Sequence, residues 1–442
     1  MTEIPETFTV INREEISTSG NRSKLISALA DSFKVLDPAR ISSKAVAPIV
    51  EGLPTTGKLC VIGFGKASLG MYRGVREHTA GKAAYSGLII PIGEKVYDSF
   101  PELDLLRGNH PIPGKETLNS SRKLLNSIGK LSPEDVVIVL VSGGGSAIFE
   151  IPRDGLTIDD IGEIAKCLMA SGADIRELNI VRHAMSLVKG GRLAEILKPA
   201  TVYTMVISDV PGDDLQLIAS GPLTRPSYGA EELPKILNKY RKNCGSVSKI
   251  AKSGMSELPS PDAFLKVQEE IILKNSDFVR EISKSLGTSG EEVVIDEEPV
   301  AGDVEDVSRR LAQIIRAKYY EKGRAVWLVA GGETTATVKG KGIGGRNCEL
   351  SVRFSAKMGL NEEFTFASIG TDGIDGVSPA MGGITDTAFR NAVDADEIRA
   401  SLDNSDTYNL LKKYHSAIMT GYTGTNVSDI FIVHYSGRRT KS

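Results

Sequence analysis

Short apolar runs, each closed by a glycine-rich turn, alternate along this chain with stretches of helical periodicity. Val136–Val141, VVIVLV, sets the pattern: six consecutive apolar residues, five of them Val or Ile, as in a strand buried on both faces of a parallel sheet. Comparable runs occur at Leu59–Gly65, Ser86–Ile92, Thr201–Ile207, Glu292–Asp296, Ala325–Ala330, Phe364–Ile369 and Val427–Val433. Between them, apolar residues recur every three or four positions. Leu25, Ile26, Leu29, Ala30 and Phe33 predict a helix over Arg22–Leu36. Further helices are expected over Ala67–Arg76, Glu116–Ile128, Ile158–Ser171, Ile175–Leu193, Phe264–Ser285, Val304–Glu321 and Leu350–Met358. Strand, glycine turn, helix is the recurring unit, which predicts α/β architecture with mostly parallel strands. The polar stretch 223–262, punctuated by SELPSPD at 256–262, is the expected crossing between domains.

The turns carry the candidate chemistry. Ser142-Gly143-Gly144-Gly145-Ser146 follows the Val136–Val141 strand, and bare N–H groups at a strand's carboxyl end can cradle an anion such as a phosphate. A tight turn with no ligand is the plainer alternative. Lys66 follows Gly63-x-Gly65 and is placed either to reach a phosphate or to sit solvated at a helix start. The motif is not a Walker A loop, and Ser68 stands where a dinucleotide fingerprint needs its third glycine. His110, beside two prolines, reads as a structural hydrogen-bonder. Asn179, Arg182, Ser186 and Lys189 form a polar stripe on the expected Ile175–Leu193 helix. It offers two cations and no acid, which suits an anionic ligand, although a solvated face has the same spacing.

Asp209, Asp213 and Asp214 follow the Thr201–Ile207 strand and could hold Mg²⁺ through water, or Asp213 or Asp214 could instead cap a helix. Glu333 lies in a second glycine turn. Lys339–Arg346 holds four glycines and three basic residues, and it places Arg346 and Asn347 at a helix N-terminus, again a candidate anion site. Asp372 and Asp375, flanked by glycines, could bind metal or form Asx-turns; the EF-hand spacing is absent.

Composition narrows the classes. With 41% hydrophobic and 25% charged residues the chain reads as an ordinary globular protein, long enough at 442 residues for two or three domains. The net charge of −3 gives no general attraction to nucleic acid or anionic membranes. No apolar run approaches the roughly 20 residues of a membrane span, and MTEIPETFTV lacks a signal pattern. Cys60, Cys167, Cys244 and Cys348 form no CxxC pair, so neither zinc nor a disulfide framework is expected, and a reducing cytoplasm fits.

Eight of these stretches, in order, resemble the class II glycerate kinases with a C-terminal MOFRL domain. They are GFGKA at 63–67, GNHPIP at 108–113, SGGGSA at 142–147, SGADIRELNIVRHAMSLVKGGRLA at 171–194, SDVPGDDLQLIASGP at 208–222, GGETTATVKGKGIGGRN at 331–347, GTDGIDG at 370–376 and GYTGTNVSD at 421–429. The family usually has Pro at the position of Tyr422, Asn at that of Ser428 and often Gln at that of Cys348. The resemblance implies two α/β domains with mostly parallel, Rossmann-like sheets and an active-site cleft between them. It implies a glycerate kinase domain over 1–255, whose first roughly 50 residues are free to pack on the other domain, and a MOFRL-type domain over 263–442. The implied reaction moves the γ-phosphoryl of ATP to the 2-hydroxyl of D-glycerate with Mg²⁺, using Lys66, Arg346 and Asp372 as active-site residues. Ser142, Gly143, Gly144, Gly145, Ser146, Asn179, Arg182, Lys189, Glu333 and Asn347 are then the expected substrate and phosphate contacts, and Asp209, Asp213 and Asp214 the expected metal holders. The substrate carboxylate needs a cation, for which Arg182 and Arg346 are both candidates. The partners implied are small molecules, not nucleic acid or membrane; a homodimer stays open. Two rivals remain, an NAD-dependent hydroxypyruvate reductase and a non-catalytic nucleotide or sugar-phosphate sensor. An incomplete Gly63 motif and no clear ribose-binding acid weigh against the reductase.

Overall fold

The computed structural model describes residues 8–96, 98–252, 257–288 and 290–438. The expected domain edge at 255, the first residue of SELPSPD and most of MTEIPETFTV lie outside them. The chain divides into two compact units, one of Pro38–Leu273 and one that joins residues up to Asp37 with Lys274 onward.

The Pro38–Leu273 unit is built on six strands: β1 (Leu59–Phe64), β2 (Ala83–Pro91), β3 (Leu103–Gly108), β4 (Val136–Val141), β5 (Thr201–Ile207) and β6 (Val267–Leu273). They lie in the order β3-β2-β1-β4-β5-β6, every pair parallel. Every residue of β1 and β4 is buried, as strands flanked by strands on both edges and by other elements on both faces must be. Helices Ile158–Ala170, Ile175–Met185 and Glu232–Tyr240 pack around a separate apolar cluster that includes Leu168, Val181, Ile236 and Tyr240.

The other unit also holds six strands: β7 (Glu292–Asp303), β8 (Val326–Thr335), β9 (Glu362–Gly370), β10 (Gly382–Asp386), β11 (Ala417–Ile418) and β12 (Asp429–Arg438), in the order β11-β10-β9-β12-β8-β7. Here mostly parallel pairing does not hold. Only β7 and β8 run parallel; the other four pairings are antiparallel, two of them because β12, from the end of the chain, inserts between β8 and β9 and opposes both. Helix Gly20–Val35 joins this unit. Phe33 meets Phe278 edge-on, and Arg22 forms a buried bidentate pair with Asp386 at 2.8 and 3.1 Å.

Three local expectations need correction. Phe264–Ser285 is not one helix. Val267–Leu273, VQEEIIL, alternates well enough to add as edge strand β6, and the helix begins only at Asn275. Strand pairing thus carries the chain past the polar punctuation, and the boundary falls at Leu273/Lys274 rather than at 255–263. Second, the Ile175–Leu193 helix stops at Met185. Ser186 is extended, and Gly190 and Gly191, both at positive φ, redirect the chain before a short helix at Arg192–Leu197. Third, Cys167 and Cys244 are joined as a disulfide: the helices around their shared cluster bring their Cα atoms to 5.7 Å across 77 positions, a closeness no spacing rule would find. No helix among the described residues is long and apolar enough to cross a membrane.

Candidate active site

In the parallel sheet, β1 continues outward to β2 on one side, while β4 continues to β5 on the other. The strand order reverses between β1 and β4, and their carboxyl ends are where an open α/β sheet offers a crevice. Both glycine turns of the Pro38–Leu273 unit sit there, in contact. Gly65 has φ +123°, and a Cβ on it would come within 2.3 Å of Ser142 Oγ, so only glycine lets the two turns cross. The Lys66 N–H donates to the Gly143 carbonyl at 2.9 Å, and the Ala67 N–H to Ser142 Oγ at 3.0 Å. Ser142 is fully buried and ties the turns together. The N–H groups of Gly143 and Gly144 have no hydrogen-bond partner among the described residues, as expected of a cradle with room for an acceptor.

Behind this crossing lies a polar chain that the sequence did not reveal. Ser146 Oγ is 3.0 Å from Ser220 Oγ, which donates to Asn179 Oδ1 at 2.8 Å. Asn179 is buried, and its Nδ2 has no partner among the described residues. Ala219, Ser220 and Gly221 take φ of +50°, +60° and +53°, a left-handed run costing about 1–3 kcal/mol at each non-glycine residue. The surroundings hold it: the Gly190 and Gly191 N–H groups donate to the Ser220 and Gly221 carbonyls at 3.1 and 2.7 Å, and Ala219 packs where a Cβ on Gly145 would lie only 2.7 Å away. A Ser-Gly pair signals a turn in sequence, but nothing there announces left-handed serine.

The polar stripe divides in two. Arg182 and Asn179 stay on helix Ile175–Met185, and Arg182 lines a cavity of about 70 Å³ with Ser146 and Glu150. Lys189 does not join them. Once the helix stops, it turns inward, is 1% exposed, and meets Glu150 at 2.7 Å and the Phe149 carbonyl at 2.7 Å. The acid that the stripe seemed to lack is therefore Glu150, and Lys189 is an interior ion pair rather than a ligand contact.

Asp214 accepts from the Gln216 N–H at 2.9 Å, and Asp213 sits at φ +56°. With Asp209 they follow β5, but no group of three or more His, Cys, Asp or Glu side chains gathers as a metal site among the described residues. One or two carboxylates completed by phosphate and water, the usual manner for Mg²⁺, is the arrangement this end of the sheet can offer.

The second unit gathers its charges at the meeting of β8, β9 and β12. Arg346 Nε and Nη2 donate to Asp429 at 2.6 and 2.9 Å, and Nη1 lies 3.1 Å from Glu333. Burial pulls the Arg346 pKa down, but the Asp429 carboxylate outweighs it, and the guanidinium is held charged. Asn347, expected to face substrate, is 1% exposed; its Nδ2 donates to Asp429 at 3.0 Å and its Oδ1 accepts from Ser368 at 2.6 Å. The helix N-terminus expected to bind an outside anion already has one. Asp375 accepts the Asn347 and Cys348 N–H groups at 3.0 and 2.7 Å, because Gly345 supplies no side-chain cap. Burial pushes Asp375 up to about 6 despite those bonds. Asp372 accepts the Ile374 N–H at 3.3 Å in an Asx-turn, and its carbonyl accepts from Thr423.

Residues 25–252 match a family described as a domain of unknown function (DUF4147), and residues 326–429 match the MOFRL family. The glycerate 2-kinase of Picrophilus torridus is 42% identical over 427 residues, covering 96% of this chain and 99% of that protein. The crystal structure of a glycerate kinase from Thermotoga maritima superimposes with a TM-score of 0.82 at 30% identity, covering 93% of this chain and 98% of that one. A protein of Agrobacterium vitis, provisionally labelled a hydroxypyruvate reductase, is 32% identical over 400 residues, 85% of this chain and 98% of its own length.

Proposed function

The chain belongs to the class II glycerate kinase family, and from that premise we propose that it is an ATP-dependent glycerate 2-kinase. It moves the γ-phosphoryl of ATP to the 2-hydroxyl of D-glycerate and yields 2-phospho-D-glycerate and ADP. The observation that carries this reading is the crossing of the Lys66 and Gly143 turns at the β1/β4 reversal. It sets a lysine beside two backbone N–H groups with no partner among the described residues, where such sheets bind ligands. Phosphoryl transfer asks for positioning and charge stabilisation more than covalent chemistry, and this crossing offers both. Lys66 and Arg346 are the proposed charge stabilisers, with Asp372 the third active-site residue. Mg²⁺ would be held by one or two of Asp209, Asp213 and Asp214 and would neutralise phosphate charge.

The strand order favours one second reading, a nucleotide-dependent hydroxypyruvate reductase, since dinucleotides bind sheets of this order. An acid does follow β2, at Glu94, but burial pushes its pKa up to about 7, a poor state for a ribose acceptor. The tightest reason for glycine at 65 is also Ser142, a neighbouring turn, rather than a pyrophosphate. One pair of assays separates the readings. ADP should form with D-glycerate, stop with EDTA and resume with Mg²⁺, while NADH absorbance stays flat with hydroxypyruvate. NADH oxidation without ADP formation would reverse the assignment. Unchanged Mg²⁺ dependence in each of Asp209→Asn, Asp213→Asn and Asp214→Asn would remove these acids from metal binding.

A further inference from the structure

Two arginines compete for the carboxylate of the small acid, and their surroundings separate them. Arg346 spends its guanidinium on Asp429 and Glu333. Arg182, half-buried on helix Ile175–Met185, makes no hydrogen bond or ion pair among the described residues. Burial lowers its pKa, and the Glu150 carboxylate opposes that shift. Yet Glu150 is already engaged: one oxygen accepts from Ser186 Oγ at 2.5 Å, and the other meets Lys189 Nζ at 2.7 Å. Glu150 and Lys189 cancel, so the cavity keeps the charge of Arg182, and exposed Lys166 at its edge adds a second cation. A desolvated guanidinium left unpaired by its own protein is a standing cost unless an anion visits it.

The shape of the cavity limits that anion. At about 70 Å³ it is small, of a size for the carboxylate end of a compact acid rather than for a nucleotide. Pro111 and Pro113 stiffen its rim. Proton accounting then defines the other polar wall. Asn179 Oδ1 can only accept, so the single proton of Ser220 is directed to it. The 3.0 Å contact between Ser146 and Ser220 must therefore have Ser146 as donor, which leaves Ser146 with lone pairs, not a proton, for the cavity. A ligand that satisfies both walls carries a carboxylate and, beside it, a hydroxyl that donates.

We infer that Arg182 anchors the carboxylate of the acceptor and that Ser146 accepts a hydrogen bond from the adjacent hydroxyl, so that this cavity selects a 2-hydroxy acid. The inference rests on the glycerate kinase reading and adds the specificity determinants to it. Titration calorimetry with D-glycerate, without nucleotide, tests it on the whole chain. Arg182→Met should weaken glycerate binding about 10- to 100-fold, the worth of a charged hydrogen-bonded contact. Arg182→Lys should recover only part of it, since the planar fork is gone. Ser146→Ala should erase the preference for D-glycerate over 3-hydroxypropionate, which lacks the 2-hydroxyl. In turnover, the Arg182 variants should raise KM for glycerate and leave KM for ATP alone, and Arg182→Met should melt no lower than wild type. Wild-type protein that makes ADP from glycerate, with glycerate affinity unchanged in Arg182→Met, would overturn the inference and leave the kinase reading standing. Wild-type protein that makes no ADP would remove both. An Arg182→Met variant that fails to fold would expose an internal role for the arginine and also overturn it.

Discussion

The surroundings of Arg346 and of Arg182, one in each unit, answer charge in opposite ways. Around Arg346 the charged groups and the Asn347 amide all have partners: Asp429 receives Arg346 and Asn347, Asp375 receives two backbone N–H groups, and Ser368 closes on Asn347. Around Arg182 several have none among the described residues: the guanidinium, Asn179 Nδ2 and the N–H groups of Gly143 and Gly144. Buried polar groups are normally satisfied, so a cluster that closes on itself specifies its own geometry, whereas one left open is complete only with something else present. The difference separates a cation whose position its own protein fixes from one whose surroundings are left for a ligand to complete.

The strongest way to break that contrast is to remove one cation from each region. Asp429 is 0% exposed, and stripping a buried carboxylate of its partner costs about 3–5 kcal/mol. Arg346 is itself about one-third exposed, which places Arg346→Ala near the lower end, about 3 kcal/mol, with activity lost as well. Adding Asp429→Asn should restore much of the stability and none of the activity. Lys66→Ala should do the reverse, lowering kcat by about 10²-fold or more with a far smaller change in melting, as for a lost electrostatic stabiliser. Paired melting curves and steady-state kinetics read both. An Arg346→Ala variant that melts like wild type would move Arg346 into the open class, and a Lys66→Ala variant with normal kcat would end the role given to Lys66.

A smaller effect sharpens the same contrast through pH. Inside the closed cluster, burial raises the Asp375 pKa from its ordinary 3.8 to about 6. The folded state therefore holds this proton more tightly than the unfolded chain. Its contribution to stability is complete below pH 3.8 and is lost as pH rises through about 6. Two pKa units correspond to about 2–3 kcal/mol. Asp375→Asn should flatten the stability profile of this unit in that window, whatever it does to the absolute level, because the amide also gives up one acceptor. A wild-type profile that instead climbs from pH 4 to 6 with a slope unchanged in Asp375→Asn would mean that this carboxylate is not desolvated.

Much of this was legible in the residues, and the parts that were not share a cause. Buried strands such as β1 and β4 announce themselves by composition, and the glycine turns that close them can be read in place. What local pattern hides is the partner supplied from elsewhere in the chain. Lys189 looked like a neighbour of Arg182 until the helix ended at Met185 and Glu150 met it from another segment. Asn347 looked like a ligand group until β12 brought Asp429 to it. The antiparallel place of β12 could not be read from its apolar run, since the run says only that both its faces are covered. The disulfide escaped for the same reason, its two cysteines being 77 positions apart.

Ser220 gives the smallest effect and the finest division between shaping and binding. Its φ of +60° and its hydroxyl are two separate features, and two substitutions part them. Ser220→Ala keeps the left-handed strain, removes the bond to Asn179 Oδ1, and frees the Ser146 proton to turn into the cavity. Ser220→Gly removes the same hydroxyl but relieves the strain, since glycine takes positive φ without steric cost. The two should thus lose activity alike, and most of that loss should be a higher KM for glycerate, because a Ser146 that presents a proton no longer accepts from the substrate hydroxyl. In stability they should differ: Ser220→Gly should exceed Ser220→Ala by about 1 kcal/mol, the penalty for a non-glycine residue in the left-handed region. Equal melting of the two would mean that the turn carries no strain, and the bonds from Gly190 and Gly191 would then suffice to explain its shape. Equal stability together with an unchanged KM in both would place Ser220 wholly among the residues that hold the fold.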